Sequence, residues 1–394
     1  MRTIIFGTYD TAMHPRIATI AEGLAARGFD VSECNIPLGL TTADRVDMLA
    51  KPWKAAGLAV RLARRWAGLA ARARKLGQPD LVVVGYLGHF DVHLARLLYR
   101  RGRVPVVLDH LISAAGTAKD RRIAGGGLKK RLLTLIDAAA LRAADIVVVD
   151  TAEHLETVPE QYRAKTVVVQ VGAPAPWFEA AQREAAQHEA AQHEAAQHEA
   201  DPEQPLKVVF YGLYTPLQGT PVIGQALGRI AGAPVEVTMI GGGQDAAATR
   251  AAATVNESVR WLDWVPAAEL PALVASHDVC LGIFGTGDKA LRVVPNKVFQ
   301  GAAAGCAVIT SDTAPQRRVF GTVSQESGAV LVPAGDPVAL AEALVRLAGD
   351  RDEVLKLRHA ARQLAAERFT PEQVTGPLTD RLAERHGPAA QDQA

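Results

Sequence analysis

Pro295, Asn296 and Lys297 stand in succession where the loop GTGDKALRVV gives way to a helical segment, VFQGAAAG. A lysine in the first turn of a helix opposes the helix dipole, whose positive end lies there. The placement becomes favourable once an anion binds beside it, where unpaired backbone N–H groups also point. An ordinary solvated lysine is the plain alternative. Two other loops of the same half suit a phosphate. KVVFYG runs into LYTPLQGTPVIGQAL, where Gly212 and Gly219 flank the entry to a helix with Pro221 near its first turn. VEVTMI ends in Gly241-Gly242-Gly243, so a ligand can approach the backbone around Gly242. Neither loop is GxGxxG followed by an acid some twenty residues on, so a nicotinamide fingerprint is absent.

Other candidate chemistry is weaker. Cys34, Cys280 and Cys306 are the only cysteines, far apart and without metal-ligand spacing. The last two lie in apolar runs and read as buried core thiols. Asp350-Arg351-Asp352 has a DxD pattern but opens a polar helix, where capping is the simpler role. AGGGLKKR lacks the GK[ST] ending of a P-loop.

The elements that must position these residues form a regular alternation. Unbroken β-branched runs include TIIF, LVVVGY, VPVVLD, DIVVVD and TVVVQV, then KVVFYG, VEVTMIG, VRWLDW, DVCLGIF, AVIT and AVLVP. Such runs predict strands covered on both faces. Amphipathic segments such as PRIATIAEGLAARG and PVALAEALVRLAGD separate them. The expected class is α/β, with two doubly wound Rossmann-like domains. Expected boundaries are 1–178 for the first domain, 205–370 for the second, and 371–394 for a C-terminal helix and tail.

Residues 179–204 lie between the two strand sets and contain a five-residue repeat, EAAQREAAQHEAAQHEAAQHEA over 179–200. Each Glu precedes a basic residue by four positions, which favours a helix. His188, His193 and His198 are five apart, so they advance about 140° each around a helix and share no face. Metal-binding pairs use spacings of three or four. A solvated helical linker is expected, with no metal site.

The 394 residues carry 48% hydrophobic and 22% charged side chains, as expected for a globular chain able to bury a core. The formal net charge of +1 argues against nucleic acid as a partner. Residues 51–75 hold eight Lys and Arg and no acid, with Trp53 and Trp66. That face is a solvated surface, an acceptor pocket or a candidate peripheral contact with a membrane surface. No leader and no apolar run of spanning length are evident, so a cytoplasmic location is expected, with the inner membrane surface as its variant.

GLYTPLQG, PNKVFQGAAAGCAVITSD and SGAVLVPAGDPVALAEAL together resemble the donor-binding half of GT-B glycosyltransferases, specifically the retaining family 4 group that uses nucleotide sugars. FGTYDTAMHPRIATIAEGLAARGFDV resembles that group's opening strand, loop and helix. The resemblance implies two domains facing a cleft. It implies donor contacts from Gly212, Gln218, Gly219, Gly242, Arg292, Asn296, Lys297 and Gln300. It implies acceptor contacts from Tyr9, Asp10 and Arg16, and catalytic roles among His14, Asp109 and His110, the last two following a buried strand. His14 precedes Pro15 and is equally well read as a helix cap.

The sequence departs from the group at two glutamates, replaced by Arg292 and Gln300, and at two loop cations, which align with Leu213 and Gln218. Gln300 can still hydrogen-bond a ribose hydroxyl, and Arg292 is suited to phosphate. Cationic duty is then expected to have moved to Arg292 and Lys297. The implied activity is transfer of a hexosyl group from a nucleoside-diphosphate sugar to an acceptor hydroxyl, with retention and without a metal. No cofactor is expected, the nucleotide sugar being a substrate. A catalytically silent binding subunit and a sugar-nucleotide epimerase are the alternatives.

Overall fold

In a computed structural model of the chain, the unbroken β-branched runs become the middle of two parallel six-stranded sheets. The structure describes residues 1–10, 15–39, 54–86, 88–111, 113, 127–195, 204–321 and 328–386. The first sheet has strands β1 (Arg2–Gly7), β2 (Asp30–Asn35), β3 (Leu81–Val84), β4 (Val106–Asp109), β5 (Ile146–Val149) and β6 (Thr166–Val168). Their order is β2-β1-β3-β4-β5-β6. The second has β7 (Leu206–Tyr211), β8 (Val235–Ile240), β9 (Val259–Leu262), β10 (Val279–Leu281), β11 (Ala307–Ser311) and β12 (Ala329–Val332), ordered β12-β11-β10-β7-β8-β9.

Successive residues of each central strand enter opposite cores, which is why the runs are continuously apolar. Val208 and Phe210 of β7 join one cluster with Leu281 and Ile309. Val209 and Tyr211 join another with Cys280 and Val308. In the first sheet Ile4, Phe6, Val82 and Val84 face one core and Ile5 and Val83 the other. Each such side chain contributes about 1.5–3 kcal/mol by leaving water. All three cysteines are buried and free.

Contacts divide the chain at positions that differ from the sequence boundaries. One compact unit comprises Met1–Gln170 and Pro371–Ala394, the other Val171–Thr370. Helix α1 (Arg16–Ala26) packs against the expected C-terminal helix, and Leu378 and Leu382 share a core with Ile20 and Leu24. The repeat helix spans Ala175–Ala195 and begins inside the second unit, where Trp177 and Ala180 are buried with Tyr211. From Gln182 to Gln187 no residue is fully buried. His198 lies outside the described residues. Among the described residues no helix is long and apolar enough to cross a membrane.

Candidate functional site

Chain order reverses in each sheet between two adjacent strands, and the crevice beyond their carboxyl ends is where open α/β sheets take ligands. In the second unit these strands are β7 and β10. Helix α2 (Thr220–Arg229) follows the β7 loop, and helix α3 (Asn296–Ala303) follows the β10 loop. The two loops are stitched together, with Phe284 N donating to Gln218 O at 3.0 Å. Gly219 is left-handed (φ 65°), and a Cβ there would stand 2.4 Å from Gly285 N. Only glycine allows that approach.

Lys297 is the centre of this crevice. Its side chain is buried, 5% exposed, with Nζ 3.6 Å from the Phe210 ring centroid. Nζ donates to Gln218 Oε1 at 2.7 Å, and a Cβ on Gly212 would lie 3.2 Å from it. Among the described residues no carboxylate forms an ion pair with it. Burial strips hydration from the ammonium and lowers its pKa to about 7. The fold thus holds a desolvated ammonium, supported by an amide oxygen and an aromatic face.

Gln300 lies one turn further along α3, 6% exposed, and its Oε1 accepts from Tyr211 Oη at 3.0 Å. Tyr211 in turn stacks on Trp177, ring centroids 5.7 Å apart at 17°. With one lone pair of its oxygen so used, the Gln300 side chain keeps its two N–H donors and one acceptor position. Asn296 is half-buried at the start of α3. Arg292 stays with its own loop, Nε donating to Asp288 O at 2.8 Å. Gly242 has open space around it, since a Cβ there would meet nothing within 4 Å. Asp350 caps the helix Arg351–Arg368 by accepting from Glu353 N, while Arg351 pairs with Asp278.

In the first unit the crevice lies between β1 and β3, and several expected contacts there are turned inward. Arg16 is 1% exposed, its Nε 2.9 Å from Asp109 Oδ1 and its Nη2 donating to Val169 O at 2.8 Å. Arg16 and Asp109 therefore brace β4 against α1. Tyr9 is 3% exposed and its hydroxyl donates to Glu33 at 2.8 Å, so it too is positioned from within. Asp10 is half-buried beside it, and His14 lies outside the described residues. Asp91 opens the helix Asp91–Tyr99, buried, accepting from Thr8 N and Oγ1 and from Trp66 Nε1. Burial pushes its pKa up. Trp66 is spent on this inward bond, not displayed on the basic helix Lys54–Leu76, and Trp53 lies outside the described residues.

His110 is accompanied by His89, which the sequence offers as a weaker candidate of the same kind, and by Asp137, which sequence reading missed. His89 follows β3, and Asp137 comes from the helix Gly127–Ala143. The His89 and His110 rings sit edge to face, centroids 5.3 Å apart. Asp137 accepts from Ser113 Oγ at 2.7 Å. His154, whose Nδ1 lies 2.8 Å from Asp150 Oδ1, has its ring 6.2 Å from that of His110. Burial lowers the His110 pKa against the opposing pull of Asp137. The available signal was Asp137 itself, a lone acid on the apolar stretch LLTLIDAAAL.

Residues 205–350 match the family described as Glycosyl transferases group 1. No curated protein sequence matches the chain. Among solved structures, sucrose-phosphate synthase from Thermosynechococcus elongatus is similar with a TM-score of 0.67 at 16% identity, covering 98% of each chain. Anabaena HepE in complex with UDP-glucose is similar with a TM-score of 0.63 at 13% identity, covering 97% of this chain and 99% of its own. An α,α-trehalose-phosphate synthase (UDP-forming) from Burkholderia vietnamiensis gives 0.60 at 15%, covering 97% and 96%. With two six-stranded parallel sheets and those structural likenesses, the chain has the GT-B fold, and its residues 205–350 match the group 1 glycosyltransferase family.

Proposed function

We propose that the protein is a hexosyltransferase that binds a nucleoside-diphosphate sugar on its second unit and delivers the sugar to an acceptor hydroxyl on its first. The observation that carries this reading is Lys297, a buried ammonium without a carboxylate partner among the described residues, at the switch point of the segment that matches the group 1 family. A departing diphosphate develops negative charge, and a preorganised cation with helix N-termini stabilises it most in the transition state. Lys297 Nζ and the amide ends of α2 and α3 supply that field without a divalent ion on the diphosphate. Gln300 addresses the ribose as a donor, and Asn296, Gly212, Gly219 and Gly242 line the path of the nucleotide. Arg292 closes on the phosphates from the β10 loop. On the first unit, the polar group around His110 faces the acceptor, with Asp10 beside the β1 loop. Retention of configuration follows the family 4 resemblance.

HepE is a structure with UDP-glucose, so uridine nucleotides are the first probes. Calorimetric titration of UDP and UDP-glucose in the presence of a chelator should show binding that Lys297→Ala weakens in the folded protein. Slow release of UDP from UDP-glucose by the purified protein supports an enzyme. Tight binding with no turnover under any acceptor supports the silent-subunit reading, which the replacement of both family glutamates by Arg292 and Gln300 favours.

A further inference from the structure

The helices on the two sides of the first sheet differ in what they show to solvent. Lys54–Leu76, Asp91–Tyr99 and Gly127–Ala143 pack on one side, where Leu69, Ala95 and Leu141 share a core. Helix α1 and the last helix, Pro371–His386, cover the other side. Those two expose the carboxylates of Glu22, Glu372, Asp380 and Glu384 and, among their described residues, no large hydrophobic side chain. The first three helices do the reverse. The only acids in their sequences are Asp91 and Asp137, and both are buried. Val60, Leu97, Leu132 and Leu135 stand between 55% and 68% exposed.

Helical periodicity turns these apolar residues outward together with cations. On Lys54–Leu76, Leu69 and Ala73 face the sheet, while Val60, Arg64 and Arg74 fall in one exposed row on the opposite side. In sequence that helix carries seven Lys and Arg and no acid. On Gly127–Ala143, Leu133, Ala140 and Leu141 are buried, and Leu132, Leu135 and Ala139 form an exposed stripe beside Arg131 and Arg142. The chain as a whole is close to neutral, at +1, so the charge is segregated onto this face.

A single exposed leucine needs no explanation. Several on one face, interleaved with cations and with no exposed carboxylate on the same helices, do. We propose that this three-helix face rests on an anionic membrane surface. Lipid headgroups answer the arginines and lysines, and the leucines enter the boundary with the acyl chains. The long arginine side chains reach back to the headgroups while neighbouring apolar residues go deeper, so one helix can carry both. The centre of a protein–protein interface excludes charge and does not accept that interleaving. The contact is with the surface alone, since among the described residues no helix is long and apolar enough to cross a membrane.

The experiment uses the full-length chain without nucleotide, sedimented with vesicles of phosphatidylcholine alone or of equal parts phosphatidylcholine and phosphatidylglycerol. The protein should bind the anionic vesicles, leave the neutral ones in solution, and bind more weakly in molar salt. Leu132→Ser with Leu135→Ser should weaken binding at least about tenfold. Arg64→Gln with Arg74→Gln should weaken it about fivefold per cation removed. Leu355→Ser, at a leucine of the second unit that is 55% exposed, should change nothing. All these positions are exposed, so melting temperatures should stay with the parent's. Failure of the parent to bind anionic vesicles in dilute buffer overturns the proposal. So does binding that the leucine pair leaves unchanged, which assigns the face to an acidic macromolecule held by charge alone. UDP titration is a separate readout, so this proposal and the donor reading fail independently.

Discussion

Lys297 Nζ donates to Gln218 Oε1 across 2.7 Å, joining the first turn of α3 to the loop that follows β7. Gln218 and Leu213 stand where the resembled glycosyltransferases carry loop cations. A charge delivered from another element has been brought to the same loop, and the amide of Gln218 holds it there. Arg292, the other cation expected to share this duty, is bonded to the carbonyl of Asp288.

Removing that charge should separate binding from stability. Lys297→Ala should weaken UDP binding by about 1.5–3 kcal/mol, the range for a hydrogen bond to a charged group. Lys297→Met, which fills the same space without burying a charge, should bind UDP as poorly yet melt at a higher temperature than the parent. Calorimetry and thermal unfolding on the two variants check both halves. A methionine variant that is less stable than the parent removes the argument from desolvation.

Proton linkage gives the same residue a pH signature. Its folded pKa of about 7 lies below the ordinary 10.5, so between these values the unfolded chain binds a proton that the folded chain lacks. Stability from this group therefore rises with pH across that window and is lowest below about pH 7. The difference in unfolding free energy between parent and Lys297→Met should shrink as pH rises. UDP, which favours the charged lysine, should bind with proton uptake above pH 7 and weaken by up to about tenfold per pH unit. Titration in buffers of different ionisation enthalpy measures the uptake directly.

Arg16 and Asp109 should behave as structural braces. Arg16→Ala or Asp109→Ala leaves one charge buried alone and should cost about 3–5 kcal/mol, whereas Arg16→Met with Asp109→Leu should recover much of it. Denaturant unfolding of the three variants decides. If Arg16→Ala keeps full stability and loses only acceptor affinity, Arg16 contacts the acceptor after all.

The repeat helix is anchored at its first turns. Trp177→Ala should destabilise the second unit by about 3–5 kcal/mol, because the ring is 6% exposed and stacked on Tyr211. Deleting Glu189–His193, one period of the repeat, should change stability by less than about 0.5 kcal/mol and leave UDP binding unchanged. Thermal melts and titrations of both variants test this contrast.

The strand set was readable because a strand covered on both faces needs apolar residues at every position, and Val208 to Tyr211 show this directly. β2 escaped notice because DVSECN is an edge strand in which only Cys34 is buried. The crevice at the switch point of the second sheet was readable from Lys297, whose position is electrostatically awkward unless an anion comes. The first unit was not readable in the same way. Arg16 and Tyr9 are polar residues near loops, and only tertiary structure shows that Asp109, 93 positions away, and Glu33, 24 positions away, consume them. Asp137 is similarly distant from His89, and no local pattern connects the two.

The last helix, Pro371–His386, packs on α1 and completes the core that begins with β1. On the ribosome this imposes an order. The first domain to be synthesised is the last whose sequence is complete, since the 200 residues of Val171–Thr370 must emerge before its final helix. At about 5–20 residues per second that delay is roughly 10–40 s. Throughout it, the groove on α1 that Leu378 and Leu382 will fill stays uncovered, while the second unit can already close its own core. A nascent chain of this architecture can complete its second unit before its first is sealed.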